Sequence, residues 1–258
     1  MSKSNNFFSR LYKCYKKSGI TGVLYQISEN EYLPNNLFHF SKSNLYIYKG
    51  SNKRTFDYKE KIDKYDFCLA SKDDIEALLD MSGKRNNHYE SSKIRLSKFF
   101  DDGNSCYTVR DNKNIIAYVM LHRKSYTLTG DDYTFINLNI SLSGNILFFG
   151  YGFISKKYRM RGLLPYMLNY AMTENDGSIF ITEISELNFH SHNSHIRLGF
   201  KPIYSIIAFC ALTKKTLSWK LIGGKPASIS RKSDLCLCRD KSNDSIYIRN
   251  NSDTTPPY

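Results

Sequence analysis

A basic loop between an apolar strand and a helix is the segment of this 258-residue chain whose residue types and spacing indicate chemistry. Residues 146–154 form a long apolar run, which predicts a central strand buried on both faces. Helical spacing resumes at about Gly162. The first amides of a helix have no carbonyl partner, and their dipoles amount to about half a positive charge. The loop adds four cations, which favour a diphosphate as the ligand: Lys156, Lys157, Arg159 and Arg161.

Two residues agree with this placement of the helix start. Gly162 has no Cβ at the point where a phosphate would approach the backbone. Pro165 has no N–H and is tolerated in the first turn of a helix. A basic loop before a helix is also common as a solvated surface turn, so this segment by itself leaves both interpretations open.

Two motifs in this part of the chain resemble signatures of the GCN5-related N-acetyltransferase (GNAT) family. The first is the family's pyrophosphate-binding signature, from which the chain departs at Leu164, where the family has Gly or Ala. The second motif follows about thirty residues later and belongs to a short helix. The resemblance covers roughly residues 65–212. The matching residues are Arg159 and Gly162 in the first motif and Asn188, Ser191, Arg197, Leu198, Gly199 and Phe200 in the second.

The resemblance implies an acyl-CoA cosubstrate, most simply acetyl-CoA, and no metal. It also implies that an amine attacks the thioester directly within a ternary complex. In the family, main-chain groups of a splayed strand bind the pantetheine arm and the next helix start binds the diphosphate. The cofactor-binding residues that this implies are Gly152, Phe153, Ile154, Arg159, Arg161, Gly162, Leu163, Leu164, Asn188 and Ser191.

Direct attack needs a group that takes a proton from the amine. Glu183, which alternates with Ile181 along a predicted strand, and Glu186, just beyond that strand, are the candidate bases. Either carboxylate could instead be solvated or pair with Arg197, and water could carry the proton away.

The departing thiolate needs a proton donor. His195 is the candidate, because it occupies the position where the family often has a proton-donating Tyr, and imidazole donates near neutral pH. Tyr204 and Tyr158 are the alternatives. His190, His192 and His195 could also suggest a metal site, but neither Cys nor carboxylate lies at ligand spacing beside them, so no metal is predicted.

The acceptor is predicted to be a small-molecule amine, such as an amino sugar, free or carried on a nucleotide or lipid diphosphate. One alternative is a macromolecular amine on a protein or a charged tRNA. Another is a domain of low activity that binds nucleic acid or a membrane surface through aromatic-rich basic arms. Residues 84–104 and 125–145 would form the acceptor loops. The sequence leaves the oligomeric state open, a homodimer included.

The elements that must position these residues alternate between strand and helix from Tyr65 onward. This alternation predicts an α/β or α+β architecture, and the resemblance implies a mixed, mostly antiparallel central sheet flanked by helices. The predicted strands from there are 67–70, 106–110, 115–121, 146–154, 179–184 and 203–212, and the predicted helices are 71–81, 92–100, 162–172 and 191–198. Before Tyr65, residues 45–48 alternate like a strand.

Charge divides the chain into three regions. The net charge is +6 over residues 1–60, +2 over 61–212 and +5 over 213–258. We expect a basic N-terminal accessory region, an acyltransferase domain and a basic, partly disordered C-terminal extension. Within the first region, residues 5–17 have the spacing of a basic amphipathic helix that ends at Gly19.

Cysteine usage and hydropathy predict a cytoplasmic protein. The pair Cys236 and Cys238 has no second pair at zinc-binding distance, so reduced thiols are expected. No run approaches about eighteen apolar residues, and the first thirty residues lack the apolar stretch of a secretory signal. Peripheral contact with the inner membrane face through the basic arms is a further expectation.

Overall fold

Helices and strands are defined over most of the chain. The computed structural model describes residues 4–28, 38–50, 64–82, 89–128, 138–212, 214–222, 228–230, 234–240 and 245–250. The helices are α1 (Ser4–Ser28), α2 (Ile75–Ser82), α3 (Tyr89–Asp101), α4 (Leu163–Glu174) and α5 (Phe189–Leu198). The strands are β1 (Phe38–Tyr48), β2 (Asp66–Leu69), β3 (Ser105–Asp111), β4 (Asn114–His122), β5 (Ser125–Leu128), β6 (Leu138–Leu142), β7 (Ile146–Ile154), β8 (Ile179–Ser185), β9 (Lys201–Ala211), β10 (Lys214–Leu221), β11 (Ser228–Ser230), β12 (Asp234–Asp240) and β13 (Ser245–Asn250).

Nine of these strands form one sheet, in the order β11-β10-β9-β1-β8-β7-β4-β3-β2. β7 and β8 pair in parallel. The other neighbouring strands of this sheet, within the described residues, pair antiparallel. With helices packed on both faces, this arrangement confirms the predicted mixed, mostly antiparallel sheet flanked by helices.

The two faces of the sheet are covered differently. On one face, here called the helix face, Leu163 of α4 and Leu198 of α5 pack on Phe149 and Phe180. On the other, here called the sheet face, α2 and α3 cover β3 and β4. A second, four-stranded sheet covers β7, β8, β1 and β9 on this same face, with Leu237 among its buried side chains. The apolar run of β7 is buried because it lies between these two layers.

The second sheet was not predicted. Its order is β13-β12-β6-β5, and β12 pairs in parallel with β6. Two of its strands come from the C-terminal extension, which was expected to be partly disordered, and β6 comes from a stretch interpreted as turn-rich. Residues 129–137 and 251–258 of those segments lie outside the described residues.

The N-terminal accessory region contributes a central strand. β1 lies between β8 and β9 and pairs with both along its length. The predicted boundary after residue 60 therefore does not separate the strands of the sheet, although residues 51–63 lie outside the described part of the chain. α1 is non-helical at Ser18 and Gly19, where the amphipathic helix was predicted to end. None of the described helices is both long and apolar enough to cross a lipid bilayer.

Candidate active site

The parallel strands β7 and β8 separate before they end. Their pairing runs from Ile146 opposite Ile179 to Phe149 opposite Thr182. At this last pair, the Thr182 hydroxyl donates a hydrogen bond of 3.2 Å to the Phe149 carbonyl. β7 then continues to Ile154 and β8 to Ser185 without pairing to each other. The region between residues 150–154 and 183–185, where the two strands no longer pair with each other, is here called the gap.

A bulge in β7 accompanies this separation. Val119 lies opposite Gly152 and Leu121 lies opposite Phe149, so β4 advances by two residues where β7 advances by three. An extra residue bends a strand and increases its twist, which turns the end of β7 away from β8. A Cβ on Gly150 would lie 2.7 Å from His122 Nε2 and from a ring carbon of Tyr126, so only glycine fits there.

The main-chain groups of β7 divide between β4 and the gap. The Ser155 amide donates to the Ile116 carbonyl on β4 at 3.0 Å. Because main-chain groups alternate along a strand, those of Phe153 also face β4, whereas those of Gly152 and Ile154 face the gap. Three strand residues were predicted to bind the cofactor, and two of them present their main-chain groups to the gap.

The start of α4 lies where the sequence predicted it. Gly162 is the N-cap residue, with φ 78° and ψ 7°, a left-handed conformation that favours glycine. Leu163 is buried and Leu164 packs against the same core, which accounts for a large residue where the family signature has a small one. The amides at this helix start have no carbonyl one turn behind them.

Side chains hold the basic loop in place without neutralising it. The Tyr158 hydroxyl donates to Asp111 Oδ2 at 2.8 Å, and Arg161 donates to the Tyr65 hydroxyl at 3.4 Å. Arg159 Nε donates to the Ile154 carbonyl at 3.0 Å, which holds its guanidinium at the end of the gap. Within the described residues the loop cations form no ion pair, so their charge remains available to an anion.

The second motif determines both ends of α5. The Asn188 side chain accepts a 3.1 Å hydrogen bond from the Ser191 amide and caps the helix. Gly199, with φ 98°, ends it, and the Phe200 ring packs 5.1 Å from His195. Asn188 and Ser191, both predicted to bind the cofactor, thus have a structural role in the helix cap.

His195 is buried and hydrogen-bonded within α5. It is only 4 % exposed, and its Nδ1–H donates to the Ser191 carbonyl at 2.7 Å. Burial lowers the pKa of His195 to about 4, so the ring is neutral at pH 7 and its one N–H is already bonded within the helix. The proton-donor role of His195 stays a prediction.

The other predicted side chains differ in how they relate to the gap. Glu183 is the first residue of β8 after the last pair with β7, and it points to the sheet face because it lies opposite Leu45. Glu186 forms a 2.7 Å ion pair with Lys42. Tyr204 is in the core of the sheet face and donates to the Ile246 carbonyl at 3.4 Å. The hydroxyl of Tyr158, in the basic loop, donates a hydrogen bond to Asp111 of β3.

His122 was missed by sequence reasoning. It lies opposite Phe148 at the bulge, with Nε2 beside Gly150 on the sheet face. Burial lowers the pKa of His122 to about 4, partly offset by a hydrogen bond with the Ser125 backbone. The available signal was Gly150 inside an apolar strand, which indicates close approach by another group.

Tyr46 and His192 form a hydrogen-bonded pair that sequence reasoning also missed. The Tyr46 hydroxyl and His192 Nδ1 share a hydrogen bond, and their rings meet edge to face at 5.5 Å. Tyr46 lies opposite Thr182, the residue at which the gap begins, and belongs to the helix face. Burial raises the pKa of Tyr46, so its hydroxyl remains protonated at neutral pH.

Comparisons with known proteins found no sequence match and several structures of low similarity. No family model matches the sequence, and no curated protein matches it. A GNAT-family acetyltransferase structure from Novosphingobium aromaticivorans is 14 % identical, with a TM-score of 0.45; the match covers 66 % of this chain and 64 % of that one, less than two thirds.

Aminoglycoside acetyltransferases are also among the similar structures. An aminoglycoside 6′-N-acetyltransferase from Acinetobacter baumannii is 13 % identical, with 53 % of this chain and 90 % of that one covered and a TM-score of 0.39. An aminoglycoside N-acetyltransferase in complex with CoA is 14 % identical, with 53 % and 88 % covered and a TM-score of 0.39. Overlaps of this size do not assign an activity, which has to come from the geometry of the chain itself.

Proposed function

We propose that this chain is a GNAT-type N-acyltransferase that transfers the acyl group of acetyl-CoA to an amine. The observation that carries the proposal is the gap: two parallel central strands stop pairing at Phe149 and Thr182 and continue apart. A helix start follows directly from one of those strands, after a loop whose cations form no ion pair with the part of the chain that the structure describes. Amide-bearing pantetheine fits the gap, and the diphosphate fits the helix start.

Each part of the donor has a partner in the chain. The main-chain groups of Gly152 and Ile154 offer the pantetheine amides the hydrogen bonds that a neighbouring strand would otherwise make. The amides of residues 161–164 and the Arg159 guanidinium take the diphosphate. Because Arg159 already bonds the Ile154 carbonyl, it lies between the two binding regions.

Proton transfer is proposed from opposite faces of the sheet. In the reaction, a bond forms between the amine nitrogen and the acyl carbon, and the carbon–sulfur bond breaks. Glu183 and His122 both lie on the sheet face at the start of the gap, and we assign Glu183 as the acceptor of the amine proton. The Tyr46 hydroxyl, bonded to His192 on the helix face, is assigned as the source of the proton for the thiolate.

The acceptor is proposed to be a small-molecule amine, an amino sugar in particular. A carboxylate at the start of the gap attracts an ammonium group and then takes its proton, so a cationic acceptor suits the sheet face. Purified protein incubated with labelled acetyl-CoA and a panel of amino sugars, polyamines and peptides tests this assignment. Transfer to peptides alone would exclude it.

Substitution of Gly162 tests the binding site. Gly162→Glu should abolish acetyl-CoA binding measured by calorimetry, since it adds a side chain and a negative charge where the diphosphate binds. Gly177→Glu is the matched control, because Gly177 also has φ 78° and lies at the opposite end of β8. Equal binding by both variants would show that the helix start does not hold the donor.

A further inference from the structure

The first half of α1 combines positive charge with exposed aromatic rings. Residues 4–28 contain no Asp or Glu. Four cations on this helix, all exposed, are Arg10, Lys13, Lys16 and Lys17. Uncompensated charge of this density on one short helix indicates an anionic partner.

Three aromatic side chains form a stripe on the same helix. Phe8 is 72 %, Tyr12 61 % and Tyr15 57 % exposed. Their spacing of four and then three residues places them on one side of the helix, here called the α1 stripe. The Lys16 ammonium lies 5.7 Å from the centre of the Tyr12 ring, and the three remaining cations project from the other side.

The second half of α1 fixes this helix to the edge of the sheet where the gap opens. The Tyr25 hydroxyl donates to the Lys42 carbonyl at 2.8 Å and lies 3.3 Å from the hydroxyl of Ser185, the last residue of β8. The Lys17 ammonium lies 5.2 Å from the centre of the Phe189 ring at the start of α5. The break at Gly19, with φ 61° and ψ −150°, sets the direction of the first half.

We propose that the first half of α1 docks on an anionic lipid surface, with the α1 stripe at the boundary between headgroups and acyl chains. Segregation of aromatic and cationic side chains on opposite sides of a helix is typical of interfacial helices. Single-stranded nucleic acid is instead bound where aromatic rings line a cationic groove. Docking in this orientation holds the open end of the gap beside the lipid headgroups.

The docking surface is independent of acyl transfer, because it shares no residue with the gap or the basic loop. Its test uses the full chain and vesicles of phosphatidylcholine with or without phosphatidylglycerol, separated by flotation. Binding should require phosphatidylglycerol and weaken as salt concentration rises.

A matched pair of double variants tests the surface itself. Tyr12→Ser with Lys16→Gln should weaken vesicle partitioning by at least about fivefold, the effect expected from loss of one cation alone. Ile94→Ser with Lys98→Gln makes the same kind of change at the same spacing on α3, where Ile94 is 66 % exposed, and should leave partitioning unchanged.

Three results would overturn the proposal: no binding to anionic vesicles, equal binding to neutral ones, or equal loss in both double variants. Displacement from vesicles by single-stranded RNA, with tighter binding to the RNA, would assign the helix to nucleic acid instead. Calorimetry with acetyl-CoA on the Tyr12 and Lys16 variant should give the parent affinity, so failure of docking and failure of the proposed acyl transfer are separate results.

Discussion

The side chains that lie in register with the start of the gap come from distant parts of the chain. Tyr46 on β1, His122 on β4 and Glu183 on β8 are brought to Phe149 and Thr182 by strand pairing alone. The proposed proton acceptor and donor lie on opposite faces of one sheet, with the proposed thioester position between them. This separation keeps the two groups from exchanging the proton directly.

The assignment of acid and base predicts two variants with a shared pattern. Glu183→Gln and Tyr46→Phe should each lower kcat/KM roughly 100-fold or more, because each removes one proton-transfer group. Neither should change acetyl-CoA affinity by calorimetry, since neither residue belongs to the loop or the helix start. Steady-state rates with an accepted amine across a range of pH provide the measurement.

Glu186→Gln is the control for the carboxylate. This variant makes the same Glu-to-Gln change three residues after Glu183, at a side chain that forms an ion pair with Lys42. Its rate should stay close to the parent rate. If it slows transfer as much as Glu183→Gln does, proximity to the gap and not proton transfer explains both effects.

At the scale of single elements, the motifs predicted positions well and environments poorly. Gly162 and the ends of α5 were recognisable because caps depend on residues within one turn. The burial of His195 was not predicted because it depends on packing against Phe200, which no local pattern encodes. The positions of Tyr46 and His122 depend on strand register, and partners on β8 and β7 cannot be read from spacing within one strand.

The bulge in β7 predicts different effects for its two glycines. Gly150→Ala places a Cβ 2.7 Å from His122 and Tyr126 and should destabilise the fold by about 1–3 kcal/mol. In Gly152→Ala the added Cβ comes no nearer than 3.5 Å, an ordinary contact, to the Tyr118 carbonyl. Urea unfolding of the two variants should therefore show a lower midpoint for the first and a smaller change for the second. Equal midpoints would mean that His122 does not press on β7.

At the scale of the molecule, the nine-stranded sheet includes strands from both basic arms. β1 lies between β9 and β8, and β10 extends the sheet beyond β9, so these described strands of the arms belong to the fold. The short apolar runs of β12 and β13, residues 235–238 and 246–248, were visible in the sequence, but the high charge around them favoured an interpretation as disorder. What the charge pattern located correctly was the exposed basic half of α1.

Two buried histidines, one on each face of this sheet, predict that the whole fold is sensitive to acid. The pKa values of His122 and His195 are lowered to about 4 from 6.5, so the unfolded chain binds more protons between those values. Stability should therefore fall as pH decreases from about 6.5 to about 4, by roughly 3 kcal/mol for each histidine. Urea unfolding at several pH values measures this dependence of the free energy of unfolding on pH.

The slope of the free energy of unfolding against pH shows the contribution of each histidine, even if a substitution also lowers stability at every pH. His122→Gln or His195→Gln should each remove about 1.4 kcal/mol per pH unit from the slope between pH 4 and 6.5. His190→Gln, at an exposed position on α5, should leave it unchanged. Asp74, whose pKa is lowered because hydrogen bonds from Ser71 and Arg110 outweigh the opposing effect of burial, is common to all of these variants and does not affect the comparison. An unchanged slope in both glutamine variants would mean that the two rings are protonated in the folded protein and that neither is held neutral by burial.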